Sequence, residues 1–142
     1  MEQTEQILGQ TITLVDQATY KIKEVDSNSY LASKPGKIIQ GGYDFNNASE
    51  YVAFLPNPKF PDSWYLRLSD NTGNVANIPK QGFGLTSARY TLFRLDPVLD
   101  GYKLYFNQNL NIAWNEPYTG LVGTSPNQKT NVVFAFEKVK LA

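Results

Sequence analysis

The chain has no cysteine and no histidine. The first absence excludes disulfides, thiolate nucleophiles and the common zinc site. The second removes the usual general base near neutral pH and the commonest transition-metal ligand. No Ser-His or Cys-His pair can exist, no phosphate-binding loop is present and no metal-ligand spacing stands out. The chain therefore reads as a non-enzyme without metal or cofactor. No run approaches about 20 apolar residues, so no membrane-spanning helix is expected. The first residues show neither a basic start nor an apolar core, so the expected location is the cytoplasm, or outside the cell after release without a leader. Neither charge is in excess. Thirteen basic residues face 13 acidic ones, and no basic run exists to follow a phosphate backbone, which argues against nucleic acid as a partner. From Tyr20 onward, helical apolar spacing longer than one turn is missing too.

What is present is a repeat. Of the 142 residues, 42% are apolar and 13% aromatic, enough for one domain with its own core. Short segments with apolar residues at alternate positions recur at 51–55, 90–95 and 134–139. Their opening aromatics, Tyr51, Tyr90 and Phe134, lie 39 and then 44 residues apart. A period near ~40 residues marks a repeat architecture. Further alternating segments follow the same period, at 20–25, 64–68 and 102–106, then at 30–32, 75–78 and 110–113. Weaker ones lie at 37–40, 83–86 and 121–124. Clusters of Asn, Asp, Ser, Gly and Pro separate them, as strand boundaries require.

Four strands in each of three repeats predict an all-β protein of β-trefoil architecture. In that fold six strands form a barrel and six form three capping hairpins. A threefold core needs matched apolar residues from each repeat. The candidate layers are Tyr51, Tyr90 and Phe134; Ile22, Leu66 and Leu104; and Leu31, Val75 and Leu110. The expected division is an N-terminal extension over residues 1–18 and a trefoil over 19–142, with repeats at about 19–62, 63–100 and 101–142. Residues 11–15 alternate and read as an extra strand. Lys21 with Lys23, and Lys34 with Lys37, read as the wet side of two strands.

At these residues the chain resembles the ricin-B-like β-trefoil lectins, particularly the small fungal ones. Thr19-Tyr20-Lys21-Ile22 is similar to their opening Thr-Tyr-x-Ile strand. Phe134-Ala135-Phe136-Glu137-Lys138-Val139 is similar to their closing Trp-x-Phe-Glu-x-Val strand. The family's Gln-x-Trp triplets stand here as Ser49-Glu50-Tyr51, Ala88-Arg89-Tyr90 and Val132-Val133-Phe134, with the aromatic kept as Tyr or Phe and the glutamine replaced. The resemblance implies sugar binding, with glycans of glycoproteins or glycolipids as partners. A homodimer is a further association to consider, on which the sequence does not decide.

Sugar recognition needs amide and carboxylate groups for hydroxyls, and an aromatic face for the C–H side of the ring. Thirteen Asn, eight Gln and nine Tyr supply both, although Asn also suits turns for its own sake. Two clusters stand out. In repeat one, Gln40, Tyr43, Asp44, Asn46 and Asn47 surround the pair Gly41-Gly42, which allows close approach of a ligand. In repeat three, Trp114, Asn115, Glu116 and Tyr118 share a loop, with Asn127 as a further candidate; the other reading of Trp114 is that it closes the barrel end. Asp44 and Glu116 fall in different repeats, and nothing marks them as a glycosidase pair. Repeat two offers Pro79-Lys80-Gln81-Gly82, without an acid or an aromatic, and reads as inactive. The alternative partner is a protease. The proline-stiffened loop 56–62, with Lys59 at its tip, resembles in position the reactive loop of Kunitz-type trefoil inhibitors. Its simpler reading is a repeat junction.

Overall fold

Sequence alternation of period two becomes burial of period two. In the strand Ser63–Leu68, Trp64, Leu66 and Leu68 are buried, while Ser63, Tyr65 and Arg67 are half-buried. Successive side chains of a strand point to opposite faces, so one face fills a core and the other meets solvent. The computed structural model describes residues 5–10, 13–34, 37–78, 82–106, 110–114, 122–125 and 132–141. Its strands are β1 (Glu5–Gln10), β2 (Thr19–Glu24), β3 (Ser29–Ala32), β4 (Gln40–Tyr43) and β5 (Tyr51–Phe54). Then follow β6 (Ser63–Leu68), β7 (Asn74–Ile78), β8 (Gly82–Thr86), β9 (Phe93–Val98) and β10 (Gly101–Phe106). The last are β11 (Leu110–Trp114), β12 (Val122–Ser125) and β13 (Phe134–Leu141). One 3-10 turn, Phe45–Asn47, lies between β4 and β5.

Six strands close on themselves. Antiparallel pairing runs β2–β5–β6–β9–β10–β13, and β13 returns to β2 with Phe136 opposite Ile22. Three hairpins, β3–β4, β7–β8 and β11–β12, stand off this ring. A six-stranded barrel with three hairpins is a β-trefoil, and closure removes the exposed edges that an open sheet would present. Asn28, Asn71 and Asp100 hold the left-handed conformation in the turns after β2, β6 and β9. Short side chains that bond locally tolerate that region best.

The threefold relation can be read from the registers. Lys23 pairs with Tyr30, Arg67 with Asn74 and Tyr105 with Asn111. Ile22, Leu66 and Leu104 are thereby equivalent, as expected, and so are Leu31 and Val75. The third equivalent of these two is Ile112 by register rather than Leu110. Ile39 and Phe83 form a further pair, and Tyr51, Phe93 and Phe134 come from the fourth strand of each repeat. Ile22, Leu66 and Leu104, Leu31 and Val75, Ile39 and Phe83, and Tyr51, Phe93 and Phe134 surround one apolar cavity of about 30 Å³ on the barrel axis.

Several expectations need correction. Tyr90 is not part of this layer. It is 44% exposed and stacks on Tyr65 at 4.0 Å, while Phe93, three residues later, is 3% exposed. The corrected aromatics are spaced 42 and 41 residues apart, more evenly than the sequence reading had them. Among the described residues the extra strand is β1. It pairs with the far half of β13, with Ile7 opposite Val139, and residues 13–15 carry no strand. Leu14 instead enters the core, and the Val15 amide donates to the Tyr20 hydroxyl at 2.8 Å. The third strand of repeat one is displaced from 37–40 to Gln40–Tyr43. Lys21 is not on a wet face either. It is 4% exposed, with its ammonium 3.9 Å from the centre of the Phe45 ring and donating to the Phe45 carbonyl at 2.7 Å.

Tyr51 differs from Phe93 and Phe134 by one hydroxyl, which burial must satisfy. Ser33 takes it, and the Ser49 hydroxyl in turn accepts from the Ser33 amide at 2.7 Å. Thr91 plays the Ser49 part in repeat two, accepting from the Asn77 amide at 2.8 Å. Burial pushes the Tyr51 phenol well above its ordinary value, although hydrogen bonds from Ser33 and Ser49 oppose the rise. The stabilising difference is therefore present below about pH 10, where a free phenol is protonated, and fades as the unfolded chain ionises above it. Tyr51→Phe should cost only about 1 kcal/mol at neutral pH and should lessen the loss of stability above about pH 10. Urea titrations at neutral and alkaline pH check both; an alkaline loss equal to the parent's refutes the assignment.

Candidate functional site

The repeat-one cluster is built outward from the barrel wall. Phe45 packs edge-on against Tyr30, with centroids 5.7 Å apart, and lies under the Lys21 ammonium. This pins the 3-10 turn to the wall. Asp44 caps the turn, its Oδ1 accepting from the Asn47 amide at 3.0 Å and from Asn47 Nδ2 at 2.8 Å. Asp is suited to that place because a short carboxylate reaches the free amides of a turn. Asp44, Asn46 and Asn47 are all exposed. Beneath the turn, Tyr30 donates to Glu137 Oε1, and the Lys23 ammonium stands 3.7 Å from Glu137 Oε2. Burial, and then the Glu137 carboxylate, raise the Tyr30 phenol above its ordinary range, so it remains a donor.

Gln40 and Tyr43 lie at the two ends of β4, opposite Ala32 and Tyr30 of β3. Between them Gly42 takes a φ of +96° with open space where a side chain would be. Both Gln40 and Tyr43 wall a depression of about 380 Å³, together with Ala32, Lys34, Lys37 and Ile38. The structure therefore splits the sequence cluster. Gln40 and Tyr43 share the depression, while Asp44, Asn46 and Asn47 form the neighbouring turn.

Lys34 and Lys37 are exposed, as the sequence suggested, but they stand at a turn and not along a strand, and they join the lining of the depression. The Lys37 amide donates to the Lys34 carbonyl at 3.0 Å, so both lysines flank one tight turn. The signal was in the sequence, as Pro35-Gly36 between them. In repeat three, Trp114 ends β11 opposite Val122 of β12. Asn115, Glu116, Tyr118 and Asn127 lie outside the described residues, as do Pro79, Lys80 and Gln81 of repeat two.

The loop 56–62 is held by its own turns. The Phe60 amide donates to the Asn57 carbonyl at 2.9 Å, and the Lys59 amide to Asn57 Oδ1 at 3.1 Å. Lys59 is thus the third residue of a closed four-residue turn. The loop is also tied to the barrel, because Trp64 Nε1 donates to the Pro61 carbonyl at 2.9 Å and the Leu95 amide to the Asp62 carbonyl at 2.9 Å. Among the described residues no group of three or more acidic side chains is placed to hold a metal ion. No described helix is long and apolar enough to cross a membrane.

No protein-family model matches the chain, and no curated protein matches it in sequence. Among solved structures it is similar to a BEL beta-trefoil in an apo crystal form, with a TM-score of 0.66 and 9% identity, over 89% of this chain and 96% of that one. At that identity the likeness bears on the fold alone, and it agrees with the trefoil drawn from the barrel and its hairpins.

Proposed function

We propose that the protein binds carbohydrate without catalysing a reaction, as the ricin-B-like lectins it resembles do. The observation that supports this reading is the depression beside the β3–β4 hairpin, where Gln40 and Tyr43 stand together. An amide supplies both a donor and an acceptor, and a tyrosine supplies a ring face and a hydroxyl, the two demands of a sugar. The exposed Asp44, Asn46 and Asn47 continue the polar surface along the adjoining turn. The protease-inhibitor reading has less behind it. A loop that enters a protease cleft as an added strand must be extended there, and Lys59 sits in a turn closed by the Asn57–Phe60 bond.

A glycan array identifies the ligand, and titration calorimetry with the best glycan tests the site. Tyr43→Ala and Gln40→Ala should each weaken binding by about 1–2 kcal/mol, roughly five- to thirtyfold, without lowering the melting temperature appreciably. Asp44→Ala should cost about 1 kcal/mol of stability through its lost cap and should affect binding less than Tyr43→Ala. Binding of no glycan at all, or parental affinity in both Tyr43→Ala and Gln40→Ala, removes this reading.

A further inference from the structure

Among the described residues the depression is lined by two lysines and by no carboxylate. Lysine carries three donors and no acceptor, so this lining is donor-rich. Sugar hydroxyls need acceptors as well as donors, and among the described lining residues the acceptors are the Gln40 amide oxygen, the Tyr43 hydroxyl and backbone carbonyls. A group that offers only acceptors suits such a lining better than another hydroxyl does. We propose that the pocket selects sugars bearing an anionic substituent, a carboxylate, sulfate or phosphate, with Lys34 and Lys37 as its charge partners. The proposal rests on the carbohydrate-binding reading above and names the class of glycan.

Three observations carry it. First, the bond from the Lys37 amide to the Lys34 carbonyl sets the two lysines across one turn, and both line the depression. Second, the strand entry that bears Lys37 is anchored to the neighbouring repeat. The Ile39 amide donates to the Phe83 carbonyl at 2.7 Å, Ile38 bridges to Gly84, and a Cβ on Gly84 would lie 2.9 Å from the Lys37 carbonyl oxygen. An anchored backbone lowers the ordering cost of binding. Third, neither lysine has a carboxylate partner among the described residues, in contrast to Lys23, which faces Glu137 at 3.7 Å. The nearby Asp44 does not line the depression, and its Oδ1 is committed to Asn47. With 13 basic and 13 acidic residues, the chain has no net charge to draw anions generally, so this positive spot is local.

The test uses the whole chain and matched probes. These are a heparin-derived octasaccharide, its desulfated counterpart, an oligogalacturonate and a neutral galacto-oligosaccharide of equal length, with inorganic sulfate as competitor. Charged hydrogen bonds are stronger than neutral ones, but solvent screens them at a surface. At least one anionic probe should therefore bind about tenfold more tightly than the neutral galacto-oligosaccharide, and the advantage should shrink as salt is raised. The double variant Lys34→Gln/Lys37→Gln should lose about tenfold for the anionic probe, keep its affinity for the neutral one, and melt with the parent. Equal binding of charged and neutral probes, or an unaltered double variant, overturns the anionic preference while leaving carbohydrate binding in place. Complete competition by inorganic sulfate at concentrations equal to the octasaccharide overturns it in favour of a plain anion site. Failure of every probe and every array glycan overturns both readings together.

Discussion

Phe93→Ala should cost about 3–5 kcal/mol of folding stability, the range for removing a buried aromatic. Tyr90→Ala, three residues earlier, should cost less than about 1 kcal/mol, as exposed substitutions do. Phe93 is 3% exposed, lies 5.2 Å from Phe83 between ring centres and faces the axial cavity. That cavity already holds about 30 Å³, and losing a ring there adds empty volume that a closed barrel cannot readily collapse. Tyr90 keeps one face in water and loses only its stack on Tyr65, part of an outer ladder with Phe54 and the Arg67 guanidinium. Phe134→Ala should match Phe93→Ala, because the two occupy equivalent places. Urea unfolding of the three variants gives the comparison. Equal costs for Tyr90→Ala and Phe93→Ala would refute the assignment of threefold partners.

Gly101→Ala should be nearly as damaging, at about 3 kcal/mol, the upper part of the range for overpacking. For a domain near this size that corresponds to a fall in melting temperature of roughly 6–12 °C. A Cβ on Gly101 would stand 2.3 Å from the Phe134 carbonyl oxygen, 2.8 Å from its carbon and 3.1 Å from Val133 Cγ1. Two of these three are backbone atoms of β13 at the start of the strand that closes the barrel. They cannot rotate away, and moving them disturbs the pairing of Phe134 with both Tyr102 and Glu24. Gly42→Ala is the instructive control, since its Cβ would meet nothing within 4 Å. Only its left-handed conformation opposes the substitution, and the cost should be nearer 1 kcal/mol. Thermal unfolding followed by near-ultraviolet circular dichroism separates the two. If Gly101→Ala melts with Gly42→Ala, the close approach of β10 to β13 is wrong.

The candidate site was only partly legible. Gln40 and Tyr43 could be singled out because an amide and an aromatic around paired glycines have a chemical purpose as a set. Asp44 was singled out by the same logic, and the structure adds that its Oδ1 accepts from Asn47, three residues on. A carboxylate before Asn-Asn has the same sequence whether it serves a sugar or a turn. Lys34 and Lys37 read as solvent-facing charges, and both are exposed, but alternation alone says nothing about two residues set across a turn.

Alternation and recurrence by themselves determined the class of fold, the three repeats and most of the axial layer. Their physical basis is local. A strand turns one side chain in and the next out, so Ile22, Leu66 and Leu104 declare their side without any knowledge of partners. The lack of histidine and cysteine likewise excluded whole chemistries before any coordinates. Tertiary structure alone decided which aromatics are equivalent. Tyr90-Thr91-Leu92 and Phe93-Arg94-Leu95 both place an aromatic two residues before a leucine, and a shift by an odd number of residues exchanges the buried and exposed sets. Only the pairing of Phe93 with Trp64 across β9 and β6 chooses between them. The same holds for Lys21, which reads as an outer residue until the Phe45 turn folds over it, and for β1, whose place beside β13 rests on a pairing across almost the whole length of the chain.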